Sequence, residues 1–388
     1  MALSCNIRLR RRWWFRFVLP GIVFGLLCYC TWAYCHKLCY DQIYKQFHHR
    51  SVAIGLICAV CFLDAIVVFI WYQMVIWVGP GTQPHVAPFS ILPEVSKEDA
   101  NEEGANGEGS QDASMEYDAV IPPRCYQCDP HGYPIWCSPC QSLKMERTHH
   151  SSELGHCVPR FDHYCLWVGT VIGRDNYRLF VQFVTYFSSL LLLMWLSICV
   201  YIRDITQRHR GHNPPLNVNV ILTLALALFG WLMNTSMLAA TVFYMAQNKT
   251  SLEAIMDSKR KNFGTRKIFC YYSVPNKSRF VVEFDKTEFH AFWSKKTMLA
   301  NLKDFMGPNM LMWIIPLGKP YTFPCKTKLS DYGNHLLPSG QKTTLEEILG
   351  PYEESFSDYT IQAIEDKIAK GNYLTTLRAF GDEIGPQH

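Results

Sequence analysis

The sequence predicts an α-helical membrane protein with four transmembrane helices, a cytosolic zinc-binding cysteine-rich loop and a small cytosolic C-terminal tail. Three observations carry this expectation. Hydrophobic residues, 49% of the chain, gather in four long runs; six of the sixteen cysteines crowd between Cys125 and Cys165; and Lys and Arg cluster outside the first and fourth runs.

The helices come first. No residue is charged from Phe17 to Cys35, from Leu179 to Ile202 or from Val220 to Ala246, and Ser51 to Val78 carries only Asp64. Each run meets the roughly 20 apolar residues that a helix needs to cross hydrocarbon, so spans are expected at 17–35, 51–78, 179–202 and 220–246. Trp13 and Trp14 flank the first run and no small-residue cleavage site follows it, so it reads as a permanent anchor. Four spans put the 1–16 terminus, the loop between spans two and three and the 247–388 tail on one side. Arg8, Arg10, Arg11, Arg12 and Arg16 precede span one, and Lys249, Lys259, Arg260, Lys261, Arg266 and Lys267 follow span four. The opposite loops hold only Lys37, Lys45, Arg50, Arg203, Arg208 and Arg210. The positive-inside rule then places both termini and the middle loop in the cytosol. A net charge of +4 is too small to argue for nucleic acid, and the basic residues after span four suit an anionic lipid surface. Asp64, with no second charge in any span, is expected to hydrogen-bond to a neighbouring helix rather than to mark an ion path.

Between the spans, residues 79–119 are rich in Gly, Pro and acid with little to bury, and read as a disordered linker. Residues 120–178 form a compact Cys/His-rich segment too short for a large core without a metal. In the tail, Thr344 to Glu347 resembles a capping box, and Ile361, Ile364 and Ile368 recur at helical spacing up to Gly371. A small helical appendage is expected there. Met310 to Leu317 is apolar but too short to span, which leaves it against the membrane or the core.

The loop holds Cys137-x2-Cys140-x9-His150-x6-Cys157. This spacing can close a zinc tetrahedron with no open position, a structural rather than catalytic site. Cys125-x2-Cys128 offers a competing four-cysteine set with Cys137 and Cys140, ranked second because it strands His150 and Cys157. Downstream, Asp162-His163-Tyr164-Cys165 joins the three residue types that thiol nucleophiles use: a sulfur, an imidazole to take its proton, and a carboxylate to fix the imidazole.

With Lys144-x2-Arg147-x-His149-His150, Cys157-x4-Asp162, Trp167 and Asn176-x3-Phe180 at matching spacing, the loop resembles the cysteine-rich domain of the DHHC protein S-acyltransferases, in the fungal branch that reads Asp-His-Tyr-Cys. The resemblance implies a protein S-palmitoyltransferase that takes a long-chain acyl group from palmitoyl-CoA onto Cys165, becoming autoacylated, and passes it to cysteines of proteins at the cytosolic face. It implies His163 as base, Asp162 as the residue orienting it, and Lys144, Arg147 and His149 as phosphate contacts of coenzyme A. Thr250-Ser251-Leu252-Glu253 matches the family's Thr-Thr-x-Glu motif, with Ser for the second Thr, a segment that braces the active site, and Thr250, Ser251, Trp167 and Asn176 are supporting residues. The family usually holds two zinc ions, but its second ligand set reads Ser151, Leu154, Tyr164 and Val171 here, so one structural zinc is expected. Leu166 stands where the family has Pro. The rival reading is a non-catalytic zinc-bearing membrane scaffold; the retained acid, base and nucleophile argue against decay.

Overall fold

The computed structural model describes residues 2–86, 91–93, 124–208, 217–263, 266–273, 275–276, 278–285, 292–318 and 356–379. Most of the linker at 79–119 and the Thr344 to Glu347 cap lie outside them. The chain divides into two compact units, the first comprising Met1–Gly81, Asp162–Ser251 and Thr297–Tyr321, the second Thr82–Phe161, Leu252–Lys296 and Thr322–His388.

The first unit contains the membrane helices. Helix α1 (Ala2–Trp32) continues with wider π-type winding through Ala33–Gln46, and α2 (Arg50–Tyr72) continues likewise through Gln73–Val78. Helices α3 (Tyr177–Arg208) and α4 (Val218–Ala246) follow. The stretches long and apolar enough to cross a bilayer are Phe17–Gln46, Arg50–Val78, Tyr177–Thr206 and Val218–Ala246. Lys37 and Lys45, read from sequence as loop residues, sit on the helix one turn either side of Asp41, at 3.4 and 3.6 Å. These i,i+4 pairs let the helix run on past Cys35.

Burial explains which faces meet. Tyr34, Leu38, Val60, Leu190, Met194 and Ala227 share one buried cluster, while Phe62, Val200, Phe229 and Phe243 point outward, as lipid-facing side chains do. Polar groups inside the spans find helix partners, as an apolar solvent demands. Thr31 Oγ1 donates to Asp64 at 2.7 Å, the neighbouring-helix bond expected for that acid. Tyr34 and Ser197 share a hydrogen bond of 2.6 Å, and Asn234 donates to the Val184 carbonyl and Ser188, each at 2.7 Å.

A short hairpin, β7 (His163–Cys165) and β8 (Thr170–Ile172), leads into α3. Asn176 fixes it: the fully buried amide accepts from Gly173 N–H and donates to the carbonyls of Val171 and Met74. Beyond α4, helix α5 (Ser251–Phe263) begins in this unit and continues into the second. Helix α6 (Met298–Met306), capped by Thr297, precedes a 3-10 turn (Met310–Trp313). Gln182 on α3 donates to the carbonyls of Met312, Trp313 and Ile315, so the apolar Met310 to Leu317 stretch lies along α3. At Gly318 a Cβ would stand 2.7 Å from the side chains of Leu179 and Val78, which would have to shift to admit it.

The second unit is built on a five-stranded antiparallel sheet in the order β1-β11-β10-β9-β2. The strands are β1 (Ile91–Pro93), β2 (Cys125–Gln127), β9 (Lys267–Ser273), β10 (Ser278–Phe284) and β11 (Thr375–Ala379). Helix α7 (Asp358–Ala369) takes its cap from Ser357 and stops before Gly371, whose φ is +70°. Ile364 packs with Phe269, Phe284, Phe292 and Trp293. The isoleucine pattern therefore marks a real helix, but the tail is not a helical appendage: among its described residues it contributes three strands of this sheet.

Candidate active site and metal centre

Two tight hairpins of the second unit present the metal-type side chains. Strands β3 (Trp136–Cys137) and β4 (Ser142–Leu143) bracket the Cys-x2-Cys turn, where Gln141 takes a left-handed φ of +50°. Strands β5 (His149–Ser151) and β6 (His156–Val158) set His150 directly across from Cys157. One ligand atom from each of Cys137, Cys140, His150 and Cys157 lies within 4.8 Å of the others, the only such group among the described residues.

The spacing fits a metal. His150 Nδ1 stands 3.2 Å from Cys140 Sγ and 3.6 Å from Cys137 Sγ. A tetrahedron with Zn–S of about 2.3 Å and Zn–N of about 2.0 Å places such atoms roughly 3.5 Å apart. Burial disfavours the Cys137 thiolate, yet the Cys140 amide, the neighbouring thiols and Lys144 together hold its pKa below the ordinary thiol value. Burial and the other two thiols push Cys157 up. Thiols competing for protons in this way are what a cation relieves. Cys125 and Cys128 take no part: Cys125 sits in β2 opposite Tyr271, the Cys128 N–H bonds to the Ile268 carbonyl, and burial raises both thiols.

At the family's second metal position the residues hydrogen-bond and pair instead. Ser151 Oγ accepts from the Leu154 N–H at 3.2 Å and donates to Glu153, closing the turn. In the first unit, Tyr164 and Val171 are a cross-strand pair of β7 and β8.

The same hairpin carries Asp162, His163 and Cys165. Asp162, buried, receives the His163 Nδ1–H at 2.7 Å on Oδ2 and the Ser251 N–H at 2.5 Å on Oδ1. Ser251 Oγ also reaches the Asp162 carbonyl at 3.4 Å. Phe180 meets the imidazole edge-on at 5.4 Å. Burial works to lower the His163 pKa, but the hydrogen bond and charge of Asp162 and the nearby Cys165 outweigh it and raise it to about 9. Nε2 is buried without a partner in directional hydrogen-bond geometry, although Cys165 is near enough to affect the ring's charge. Such contacts commonly tighten only when substrate binds. Cys165 is buried and belongs to an apolar cluster that includes Ile70, Met74, Val168, Ile172 and Phe180. Trp167, in the turn that follows, is 62% exposed. The arrangement can hold a thiolate beside an imidazolium against an apolar cluster, the requirement of thiol acyl chemistry.

Lys144, Arg147 and His149 lie in the second unit; Thr250 and Ser251 lie in the first. Arg147 differs from expectation. Its guanidinium makes a two-point contact with Glu253, Nε to Oε1 at 2.7 Å and Nη2 to Oε2 at 2.9 Å, and stands over the Trp293 ring at 5.3 Å with only 1% of the side chain exposed. The guanidinium directs these donors at a carboxylate. Glu253, the last residue of the Thr-Ser-x-Glu motif, is matched in the sequence, but its pairing with Arg147 is not foreseen there.

A family model described as DHHC palmitoyltransferase matches residues 131–258. Palmitoyltransferase PFA5 of Saccharomyces cerevisiae is 70% identical over 388 residues, the whole of both chains. Palmitoyltransferase PFA5 of Candida glabrata is 42% identical over 97% of each chain, and that of Kluyveromyces lactis 38% identical over 97% of this chain and 99% of its own. Full-length likeness of that degree, joined to four bilayer-spanning helices and a Cys/His cluster able to hold zinc, places this chain in the DHHC palmitoyltransferase family, as a multi-pass membrane protein S-acyltransferase.

Proposed function

We propose that the chain transfers a long-chain acyl group from acyl-CoA to protein cysteines through a thioester on Cys165. The observation that carries this is the Asp162 to His163 hydrogen bond beside a buried Cys165. Asp162 holds the imidazolium, which stabilises the Cys165 thiolate. The sulfur attacks the acyl carbonyl, an S–C bond forms, the carbon–sulfur bond to coenzyme A breaks, and the departing thiolate takes the proton from His163. In the second step an incoming protein thiol gives its proton to His163 and attacks the acyl-Cys165 carbonyl, freeing the enzyme's thiolate. Each step exchanges one thioester for another, so the protein's task is orientation and water exclusion rather than thermodynamic drive.

The apolar cluster around Cys165 suits a fatty chain, each buried CH₂ contributing about 0.8 kcal/mol. Lys144 and His149 are the proposed contacts for coenzyme A phosphates; Arg147 is held by Glu253. Cys137, Cys140, His150 and Cys157 would hold one zinc, which supplies cross-linking of the two hairpins and no open coordination position. Both termini and the catalytic loop face the cytosol in this reading, where protein substrates present their cysteines. Incubating purified protein with labelled palmitoyl-CoA tests it. A hydroxylamine-labile label on Cys165, lost in Cys165→Ala, is expected; an unlabelled wild type would sink the proposal.

A further inference from the structure

We infer that residues 307–317 form a re-entrant segment: it enters the bilayer beside α3, turns within the hydrocarbon and leaves on the side from which it came, with lipid acyl chains as its outer partner. No residue between Asp304 and Lys319 is charged, and a run of that length is too short to span but long enough to dip and return. Helix α3 gives the depth. Arg178 is the charge that precedes the uncharged run from Leu179 to Ile202, so it marks the polar boundary. Gln182 and Tyr186 follow one and two turns further in, about 6 and 12 Å beyond Arg178 at about 1.5 Å per residue. In a helix every Cα–Cβ bond slants toward the N-terminus, so the order of depth is kept by the side chains.

The segment meets these levels in sequence. A Cβ on Gly307 would stand 3.7 Å from Arg178 Nη1. The carbonyls of Met312 and Trp313 accept from Gln182, and that of Ile314 accepts from Tyr186 at 2.9 Å. Ile315 then returns to Gln182 at 3.1 Å, and Leu317 to Arg178 at 2.7 Å. The remaining backbone is closed as hydrocarbon demands. The Gly307 carbonyl accepts from the Trp313 indole, Asn309 caps the Leu311 N–H, and the N–H groups of Met312, Ile314, Ile315 and Leu317 bond within the segment. Pro308 and Pro316 bring no N–H to satisfy. A loop washed by water needs no such closure, because solvent supplies the partners. The two sides of the segment differ. Trp313 packs on the buried cluster that includes Phe305, Met306 and Cys165. Met310, Leu311, Ile314 and Leu317 are 50% to 64% exposed, an apolar surface that adjoins a spanning helix at the depths of Gln182 and Tyr186, where the solvent is lipid.

The test places p-benzoylphenylalanine at Leu311, Ile314, Phe229 or Tyr359, one position at a time, in full-length protein in nanodiscs of phosphatidylcholine with deuterated acyl chains. Phe229 faces outward inside α4, and Tyr359 lies on α7, outside every span. All four side chains are exposed, so the larger ring displaces nothing buried. After irradiation, mass spectrometry of proteolytic fragments reads how much of each site is joined to lipid, and to which part of it. Leu311 and Ile314 should join to acyl-chain carbon as Phe229 does, at yields about tenfold above Tyr359, as for side chains immersed in hydrocarbon. Joining confined to headgroup or glycerol, yields no higher than at Tyr359, or a cross-link to a second copy of the chain overturns the inference. In Gln182→Leu three carbonyls lose their donor, so the Ile314 yield should fall toward that of Tyr359 while Phe229 keeps its own. An unchanged Ile314 yield in that variant overturns the depth assigned through α3.

Discussion

His163 is the residue whose environment has most to say about pH. Its pKa stands at about 9 against an ordinary value of 6.5, because Asp162 and Cys165 together outweigh burial. A raised folded-state pKa stabilises the fold fully below the ordinary value, and the contribution is lost as pH rises through the folded value. Thermal unfolding of wild type should therefore show a loss of stability between about 6.5 and 9 that Asp162→Asn, which removes the charge, largely lacks. His163→Ala should slow acyl-enzyme formation by about 10² to 10⁴-fold, the usual weight of a positioned proton carrier, measured by single-turnover labelling. In the membrane, Thr31→Val removes the Asp64 hydrogen bond and should cost about 0.6 kcal/mol, the mean for such pairs between spanning helices, read in a detergent unfolding titration. The Asp162 to Cys165 tetrad was legible in the sequence because its members are contiguous. The pairing of Arg147 with Glu253 was not, because the two are 106 residues apart and nothing local distinguishes an arginine that meets phosphate from one that meets carboxylate.

Elements tell the same story at longer reach. The metal ligand set could be anticipated because Cys137 and Cys140 flank one short turn and His150 and Cys157 face each other across one tight hairpin, so spacing encodes geometry. Metal analysis of purified protein should give one zinc per chain, since Ser151 supplies by hydrogen bond what a second ion would supply by coordination. Two zincs per chain would contradict the proposal. A strong chelator, or Cys157→Ser, should lower the zinc content and open the segment around residues 137–157 to limited proteolysis. The β9–β10 hairpin was missed although its signals were present: Lys267–Ser273 and Ser278–Phe284 are rich in aromatic and β-branched residues on either side of Pro275 and Asn276. Its outer neighbours, β2 and β11, lie far off in sequence, so periodicity offered no reason to count a sheet there.

For the molecule as a whole, hydropathy settled the membrane part, because bilayer thickness imposes a minimum length that few soluble segments meet. The second unit resisted such reading, since its sheet gathers short strands from residues 91–93, 125–127, 267–284 and 375–379. Deleting Thr375–Ala379 should strip β10 and β1 of their common partner and leave Arg279, Phe280 and Val281 without a neighbouring strand on that side, which pulsed proteolysis and hydrogen exchange of β9 and β10 would register as loss of protection.

The interior place of β11 also orders the protein's biosynthesis. Ribosomes deliver β11 after all four bilayer-crossing helices, so every spanning segment has left the ribosome before the sheet can be completed. During that interval β10 offers an open flank, and Arg279 and Phe280 wait for a neighbour that translation has yet to supply.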